Sequence, residues 1–314
     1  MTAAPGSNSI SVVIPSHGHD PHLMDVLDAL HRQTVTPAEI IVAHSGTDDP
    51  SALIAGRYRG VDVLHSDERW YPGAARNAGA AASSSRWIAF IDSDILVSPD
   101  WLRNFARAIA DAECTAVAFC GAIDCAAGAD YWAWCSWWIA CGTVHSYNAP
   151  RTMMTGPGGN MVLSRDWFTK LHGFQEDLFA AEDSDLHARL HLMGGRLQFV
   201  PAARTAHVFP NGSDYLFKRL GALGGHAARL RRWHQHVPGY AAVRWPALSL
   251  GLWLVRVLQI YGRALRSRDA PIWNLIRHTP GIIAGLVAWN LGFTKEAFRR
   301  RHDDSPDRIN ATQG

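Results

Sequence analysis

The chain has 314 residues, is 47% hydrophobic and 18% charged, and contains 13 Trp, a mixture that excludes a disordered polypeptide and allows one large domain or a domain with a substantial appendage. No short repeat period is visible, which excludes a solenoid or propeller. The net charge of +2 conceals an asymmetry: residues 216–314 carry 16 Lys/Arg against 5 Asp/Glu and residues 1–215 carry 14 against 23, so a basic back end suited to a polyanion or an anionic membrane surface follows an acidic front.

Residues 1–8 are expected to be disordered, and the start of the chain has neither the basic region nor the apolar run of a signal peptide. Ile10–Ile14 is a short continuous apolar run, the pattern of a strand buried on both faces, which Pro15 and Gly18 are expected to end. Asp20 as N-cap with Pro21 at N1 predicts a helix with the apolar stripe Leu23, Val26, Leu27 and Leu30. Strands are predicted at Glu39–Ala43, Val61–Leu64 and Trp87–Ile91. Helices are predicted over Ala74–Ser83 and after Ser98-Pro99, where Trp101, Leu102, Phe105 and Ile109 share a face. This alternation implies an α/β fold with a mostly parallel sheet covered by helices.

Further along, Val117–Gly121, Met161–Leu163 and Leu197–Val200 read as strands, 155–160 as a loop, and Asp183–Met193 as a helix stopped by Gly194-Gly195. Tyr131–Ile139 packs five aromatics into nine residues, either as a core helix or as a face that stacks on sugar rings or packs on lipid tails. The five Cys, between 114 and 141, are odd in number and lack CxxC pairs, so free buried thiols in a reducing compartment are expected. Basic helices follow from Leu216. The apolar stretches Pro246–Val255 and Gly281–Phe293 fall short of the roughly 20 residues of a bilayer span, which leaves buried or interfacial amphipathic helices. The tail 299–314 is polar and expected to fray.

Asp92-Ser93-Asp94 follows a strand, at the place where open α/β sheets bind ligands. Two carboxylates at i and i+2 suit Mn2+ or Mg2+ completed by a substrate diphosphate, although ordinary turn chemistry favours the same residues. The small-residue segment Gly73–Gly79 admits a ligand close to the backbone and offers Arg76 to a phosphate, or else forms a helix packed on the sheet; its spacing is not GxGxxG. Glu182-Asp183-Ser184-Asp185 either caps a helix or supplies a general base. His207 is a usable third metal ligand or a structural histidine.

Taken in order, these segments resemble the family 2 glycosyltransferases of GT-A fold, from about Ser9 to Phe209. The opening strand, Pro and polar turn match Ile10–Ser16, and the helix ending in Gln before a second strand matches Leu23–Val42, with Gln33 in place. The ARNxG stretch matches Ala75–Gly79, the strand ending in DxD matches Ile88–Asp94, and the Gly-Asn segment with its following Arg matches Gly159–Arg165. The GF-x-E stretch, the ED pair and the late His match Gly173–Glu176, Glu182-Asp183 and His207. The resemblance implies a metal-dependent inverting transfer from a nucleotide-diphospho-sugar. Asp183 is then the base; Asp92, Asp94 and His207 hold Mn2+ or Mg2+; Pro15, Ser16, Arg76, Asn77, Asp92 and Ser93 face the donor. The family's acid after the second strand is missing from Val42-Ala43-His44-Ser45, so either His44 or Ser45 takes the nucleotide contact or the contact is absent, and UDP-sugar is only the default donor.

The expected layout is a GT-A domain over 9–215 and a C-terminal helical extension over 216–298 that rests on an anionic membrane, packs on the catalytic domain or forms a homo-oligomer interface. The expected setting is cytoplasmic, peripheral at the inner face of the cell membrane, with no nucleic-acid partner. Two other classes are weaker. A sugar-nucleotide nucleotidyltransferase needs a basic Gly-rich loop where Pro15-Ser16-His17-Gly18 stands, and a degenerate scaffold would not need Asp92, Asp94 and Asp183 intact.

Overall fold

The computed structural model describes residues 9–112, 115–267 and 269–299; the expectations for 1–8 and for the tail beyond 299 lie outside the described residues. The elements of the sheet half are β1 (Ile10–His17), α1 (Leu23–His31), β2 (Glu39–Ser45), α2 (Ser51–Arg57), β3 (Val61–Ser66), α3 (Pro72–Ala82), β4 (Trp87–Ile91), β5 (Ile95–Val97), α4 (Trp101–Ala110), β6 (Ala116–Cys125), α5 (Tyr131–Cys141), β7 (Arg151–Met153), β8 (Asn160–Ser164), α6 (Arg165–Lys170), α7 (Glu182–Leu192) and β9 (Arg196–His207). The helical half comprises α8 (Ser213–Trp233), α9 (Ala241–Arg244), a 3-10 turn over Pro246–Gly251, α10 (Leu252–Arg266) and α11 (Ile272–Phe298).

One sheet takes the order β3-β2-β1-β4-β8-β6-β9-β5, with β7 added alongside β9. It is parallel from β3 to β4. Beyond β4, β8 runs antiparallel to both of its neighbours, so the sheet is mixed where uniform alternation predicts parallel strands. This geometry positions the site. β1 lies between β2 and β4, the point at which connections leave in opposite directions and a crevice opens at the carboxyl ends. The antiparallel pairing of Ile91 with Asn160 brings the loop before β8 to that same end. The pairing of Ile95 with His207 brings the end of β9 beside Asp94.

The core strands form as their apolar runs dictate: Val12, Val13, Ile14 and Ile88 to Ile91 are fully buried. Gln33 ties α1 to α4 by donating to the Ser98 carbonyl at 2.7 Å and accepting from the Leu102 N–H at 3.0 Å.

Several boundaries differ from the sequence reading. β1 continues through Pro15 to His17; its pairing with β4 ends at Val13, so the missing N–H of Pro15 can face an unpaired side. Asp20 accepts from the His22 N–H at 3.1 Å and closes a turn, and α1 begins only at Leu23. β9 runs on beyond the predicted Leu197–Val200 through residues 201–205; a register shift opposite Gly121 and Ala122 absorbs Pro201. Helix α2 buries only Ile54, and β5 and β7 are three residues each, so none carries a periodic signal.

The aromatic segment is a core helix. Trp137 and Trp138 are fully buried, and their indole N–H groups donate to the Ile123 carbonyl and to Asn274 Oδ1. The four described Cys, 120, 125, 135 and 141, are free, and burial pushes the thiols of Cys120, Cys125 and Cys135 up to about 12. The C-terminal helices pack on this core. Helices α8 and α11 meet backbone to backbone: a Cβ at Gly224 would lie 1.9 Å from the Trp289 carbonyl oxygen, and one at Gly292 equally close to that of Gly221. Among the described residues, no helix is long and apolar enough to cross a membrane.

Candidate active site

A cleft of about 1060 Å³ opens at the carboxyl ends of β1 and β4 and extends between the sheet and the C-terminal helices. Pro15, Ser16, Arg76, Asp92, Ser93, Asp94, Asp183 and His207 all line it, although they come from five separate stretches of the chain. His44 and Asn77 do not. His44 is buried behind Ser16, with Nδ1 3.1 Å from Ser16 Oγ and its ring stacked on His65. Asn77 pins the 173–176 turn, accepting from the Phe174 N–H and donating to the Phe174 carbonyl and to Glu176, each at 2.9 Å.

Arg76 is the internal brace of the site. It is buried, donates to Asp92 Oδ1 at 2.6 Å and to Glu182 Oε1 at 2.5 Å, and lies 5.4 Å over the ring of Phe174. Burial opposes its charge, but Asp92 and Glu182 outweigh burial and hold the guanidinium protonated. Burial pushes the Glu182 carboxyl up, against the pull of Arg76. Arg76 therefore joins the end of β4 to the start of α7, and two of its nitrogens are committed to protein carboxylates.

Asp94 and His207 form the second group, with Asp94 Oδ1 3.4 Å from His207 Nε2. Burial, then the charges of Asp92 and Asp20, push Asp94 up to about 7. Burial pushes His207 down to about 4, so its imidazole is neutral, and its Nδ1 is buried without a hydrogen-bond partner. Mutually repelling carboxylates beside a neutral imidazole are a donor set that suits a hard divalent cation. Among the described residues, however, no three His, Cys, Asp or Glu side chains are placed to hold a metal ion by themselves. Asp92 Oδ1 is paired with Arg76. Asp94 and His207 are the pair brought together, and other ligands would have to come from substrate oxygens or water.

Asp183 stands across the cleft at the first turn of α7. Its Oδ2 accepts from the Gly158 N–H at 3.0 Å and its Oδ1 from the Ser184 N–H at 2.6 Å. The helix enters through Ala181 in the left-handed region (φ 71°), a conformation costly for a residue with a Cβ and typical of functional sites. The loop 156–159 separates the two acidic groups. A Cβ at Gly158 would lie 2.9 Å from the Asp183 Cβ, and one at Gly159 would lie 2.2 Å from Asp92 Oδ2. Only glycine lets the backbone pass between these carboxylates.

Residues from the C-terminal helices also line the cleft, among them Tyr215, Arg219, Arg231 and Arg256. No local pattern in the sequence marks them, because helix packing alone brings them there.

Fold and cleft together define a GT-A architecture, and comparison with known proteins agrees. The description "Glycosyl transferase family 2" matches residues 11–171, and the chain belongs to that family. A second description, "N-terminal domain of galactosyltransferase", matches 143–210. The pre-mycofactocin glycosyltransferase of Mycobacterium tuberculosis is 26% identical over 278 residues, covering 85% of this chain; the chain spans 58% of that relative's length. Among solved structures, a mannosyltransferase from Pyrobaculum calidifontis in complex with GDP-Man and Mn2+ superposes with a TM-score of 0.59 at 17% identity, over 92% of this chain and 87% of that one. S. aureus TarS in complex with UDP-GlcNAc gives a TM-score of 0.56 at 14% identity, over 93% and 91%.

Proposed function

We propose that this protein is a metal-dependent, inverting glycosyltransferase that moves a sugar from a nucleotide-diphospho-sugar to a hydroxyl of a carbohydrate or lipid-linked acceptor. The observation that carries the reading is that Asp183 and the Asp94–His207 pair line one cleft, whose glycine loop passes between Asp183 and Asp92. In this scheme Asp183 takes the acceptor proton as the new C–O bond forms and the bond to the diphosphate breaks. The Gly158 and Ser184 N–H groups hold its carboxylate in place. Asp94 and His207, with Asp92 beside them, are the residues that would hold Mn2+ or Mg2+, which supplies charge neutralisation to a departing nucleoside diphosphate. Pro15 and Ser16 line the nucleotide end. Bound GDP-Man and UDP-GlcNAc in the structural neighbours support the donor class and leave the base open, with UDP-sugar as default.

We place the protein at the inner face of the cell membrane, on the strength of the basic, apolar-faced C-terminal helices. The functional test is a thermal-shift panel of nucleotide sugars with and without Mn2+, followed by donor turnover in the presence of EDTA. A metal-dependent shift with one donor family supports the proposal. Equal turnover in EDTA overturns metal dependence, and the absence of any shift or turnover overturns the transferase reading.

A further inference from the structure

Beyond the carboxylates the cleft changes sign. Arg231 of α8 and Arg256 and Arg263 of α10 line it, and no carboxylate of the described residues pairs with any of the three. Glu296, one turn beyond Phe293 on α11, is used elsewhere, pairing with Arg229 and Arg232.

The heads of Arg231 and Arg256 lie over two neighbouring rings of α11. The Arg231 guanidinium lies 5.7 Å from the Phe293 ring centre and that of Arg256 4.3 Å from Trp289, and those two rings are 5.3 Å apart on successive turns of α11. Arg231 donates through Nε to the Pro238 carbonyl at 2.9 Å and through Nη1 to that of Ala227 at 2.8 Å. Arg256 makes one long contact, from Nη2 to the Ile139 carbonyl at 3.4 Å. These bonds fix orientation without supplying negative charge. The strain shows in the direction of titration: burial pushes Arg231 down, and burial together with Arg231 pushes Arg256 down to about 10. Two half-buried like charges stacked on aromatic faces, with N–H groups left over, form an oxyanion cradle.

We propose that this end of the cleft is an anion subsite and that the acceptor carries a phosphoryl group gripped by Arg231 and Arg256. The proposal rests on the transferase reading above for the word acceptor, but not for the site. A phosphoryl group is favoured over a carboxylate because its near-double charge offsets both guanidiniums, whereas a single carboxylate offsets one.

The test is calorimetric titration of the full chain with inorganic phosphate, alone and with saturating UDP and Mn2+. Phosphate is expected to bind in both conditions. Arg256→Gln and Arg231→Gln are each expected to weaken it about tenfold or more, as loss of a charge-assisted hydrogen bond does. If Arg256→Gln does not fold, Arg256→Lys is read instead; it keeps the charge, loses the fork, and is expected to bind more weakly. Dodecyl phosphate distinguishes the sources: tighter binding than inorganic phosphate assigns the site to a lipid phosphate, equal binding to a soluble one. Phosphate excluded by UDP and Mn2+ would mean that it occupies the donor diphosphate position, and unchanged affinity in the folded variants would remove the arginines; either result overturns the subsite. Failure of UDP to bind counts against the donor reading and leaves the phosphate titration and its variants readable.

Discussion

Arg76 and Asp92 stand 2.6 Å apart at the end of β4, and the same guanidinium reaches Glu182 at the start of α7. Arg76 thus sets the position of Asp92 and of the helix that presents Asp183. Removing one partner leaves a buried charge uncompensated, at a cost of about 3–5 kcal/mol. Arg76→Met is expected to destabilise by about that much. The double variant Arg76→Met/Glu182→Leu is expected to recover a large part, because the stranded charge is gone. Denaturant unfolding of the two single variants and the double one measures the coupling, and additive losses would mean that the pair is not a unit.

Asp183→Asn separates catalysis from capping. The amide oxygen can still accept from Gly158 or from Ser184, so folding and nucleotide binding are expected to persist. With the proposed base lost, turnover is expected to fall by about 10²–10⁴-fold. Most of the wild-type turnover surviving in this variant would reduce Asp183 to a helix cap.

Gly159→Ala addresses the loop between the acids. The new Cβ would meet the Asp92 carboxylate at 2.2 Å, so Asp92 has to turn and give up Arg76. Metal-dependent nucleotide binding is expected to weaken more than stability does. Calorimetry of UDP with Mn2+ beside a melting curve compares the two, and an unchanged affinity would show that Asp92 can move freely.

What was legible in the sequence follows from how local each cause is. Trp87–Ile91 announces itself as a buried strand because every residue in it is apolar, and Asp92 to Asp94 then fall at its carboxyl end by adjacency. Arg76 reads as a phosphate ligand only because Glu182, its partner, is 106 residues away. Asn77 is misleading for the same reason, since the turn it pins begins at Gly173. His44 is adjacent to the nucleotide end in the sheet register, paired with Ser16, yet lies behind it. The arginines of α8 and α10 carry no local signature, because only the packing of α11 against α8 brings them to the cleft.

Two buried histidines give the protein a calculable acid sensitivity. His145 Nδ1 accepts from the Tyr147 N–H at 3.2 Å and His187 Nδ1 from the Gly156 N–H at 3.3 Å, bonds that a protonated ring cannot make. Burial pushes each from the ordinary 6.5 down to about 4. Between those values the unfolded chain binds more protons than the folded one. The stabilisation is therefore complete above the unfolded value and is lost as pH falls towards 4. The slope is at most about 1.4 kcal/mol per pH unit for each ring. Urea unfolding between pH 7 and pH 4.5 should show this decline, and His187→Gln should make it shallower. Asp94, pushed up to about 7, acts in the opposite direction over the same window and His207 in the same one, so the comparison with His187→Gln is the check: an unchanged slope would show that the His187 ring does not contribute.

The last prediction concerns the outer face of the C-terminal helices. Leu254, Leu258 and Leu265 recur on one side of α10 and are all exposed, and Trp245 and Trp273, which flank α10 in the chain, are 60% and 83% exposed. Arg244, Arg266 and Arg277 of the same helical half are exposed. Each basic residue near an anionic leaflet contributes about 1 kcal/mol, and Trp favours the headgroup boundary. Firm but reversible attachment is therefore expected, with the cleft held close to a lipid-linked acceptor. The chain should sediment with vesicles containing anionic lipid and not with neutral ones. Binding should weaken as salt rises, because the attraction is screened within about 10 Å at 0.1 M. Leu258→Asp/Leu265→Asp should abolish sedimentation while leaving the melting temperature nearly unchanged, since neither side chain is buried. A wild-type chain that stays in the supernatant with anionic vesicles at low salt, and elutes as a dimer that the same double variant splits, would mean that a second copy covers this face instead of a membrane.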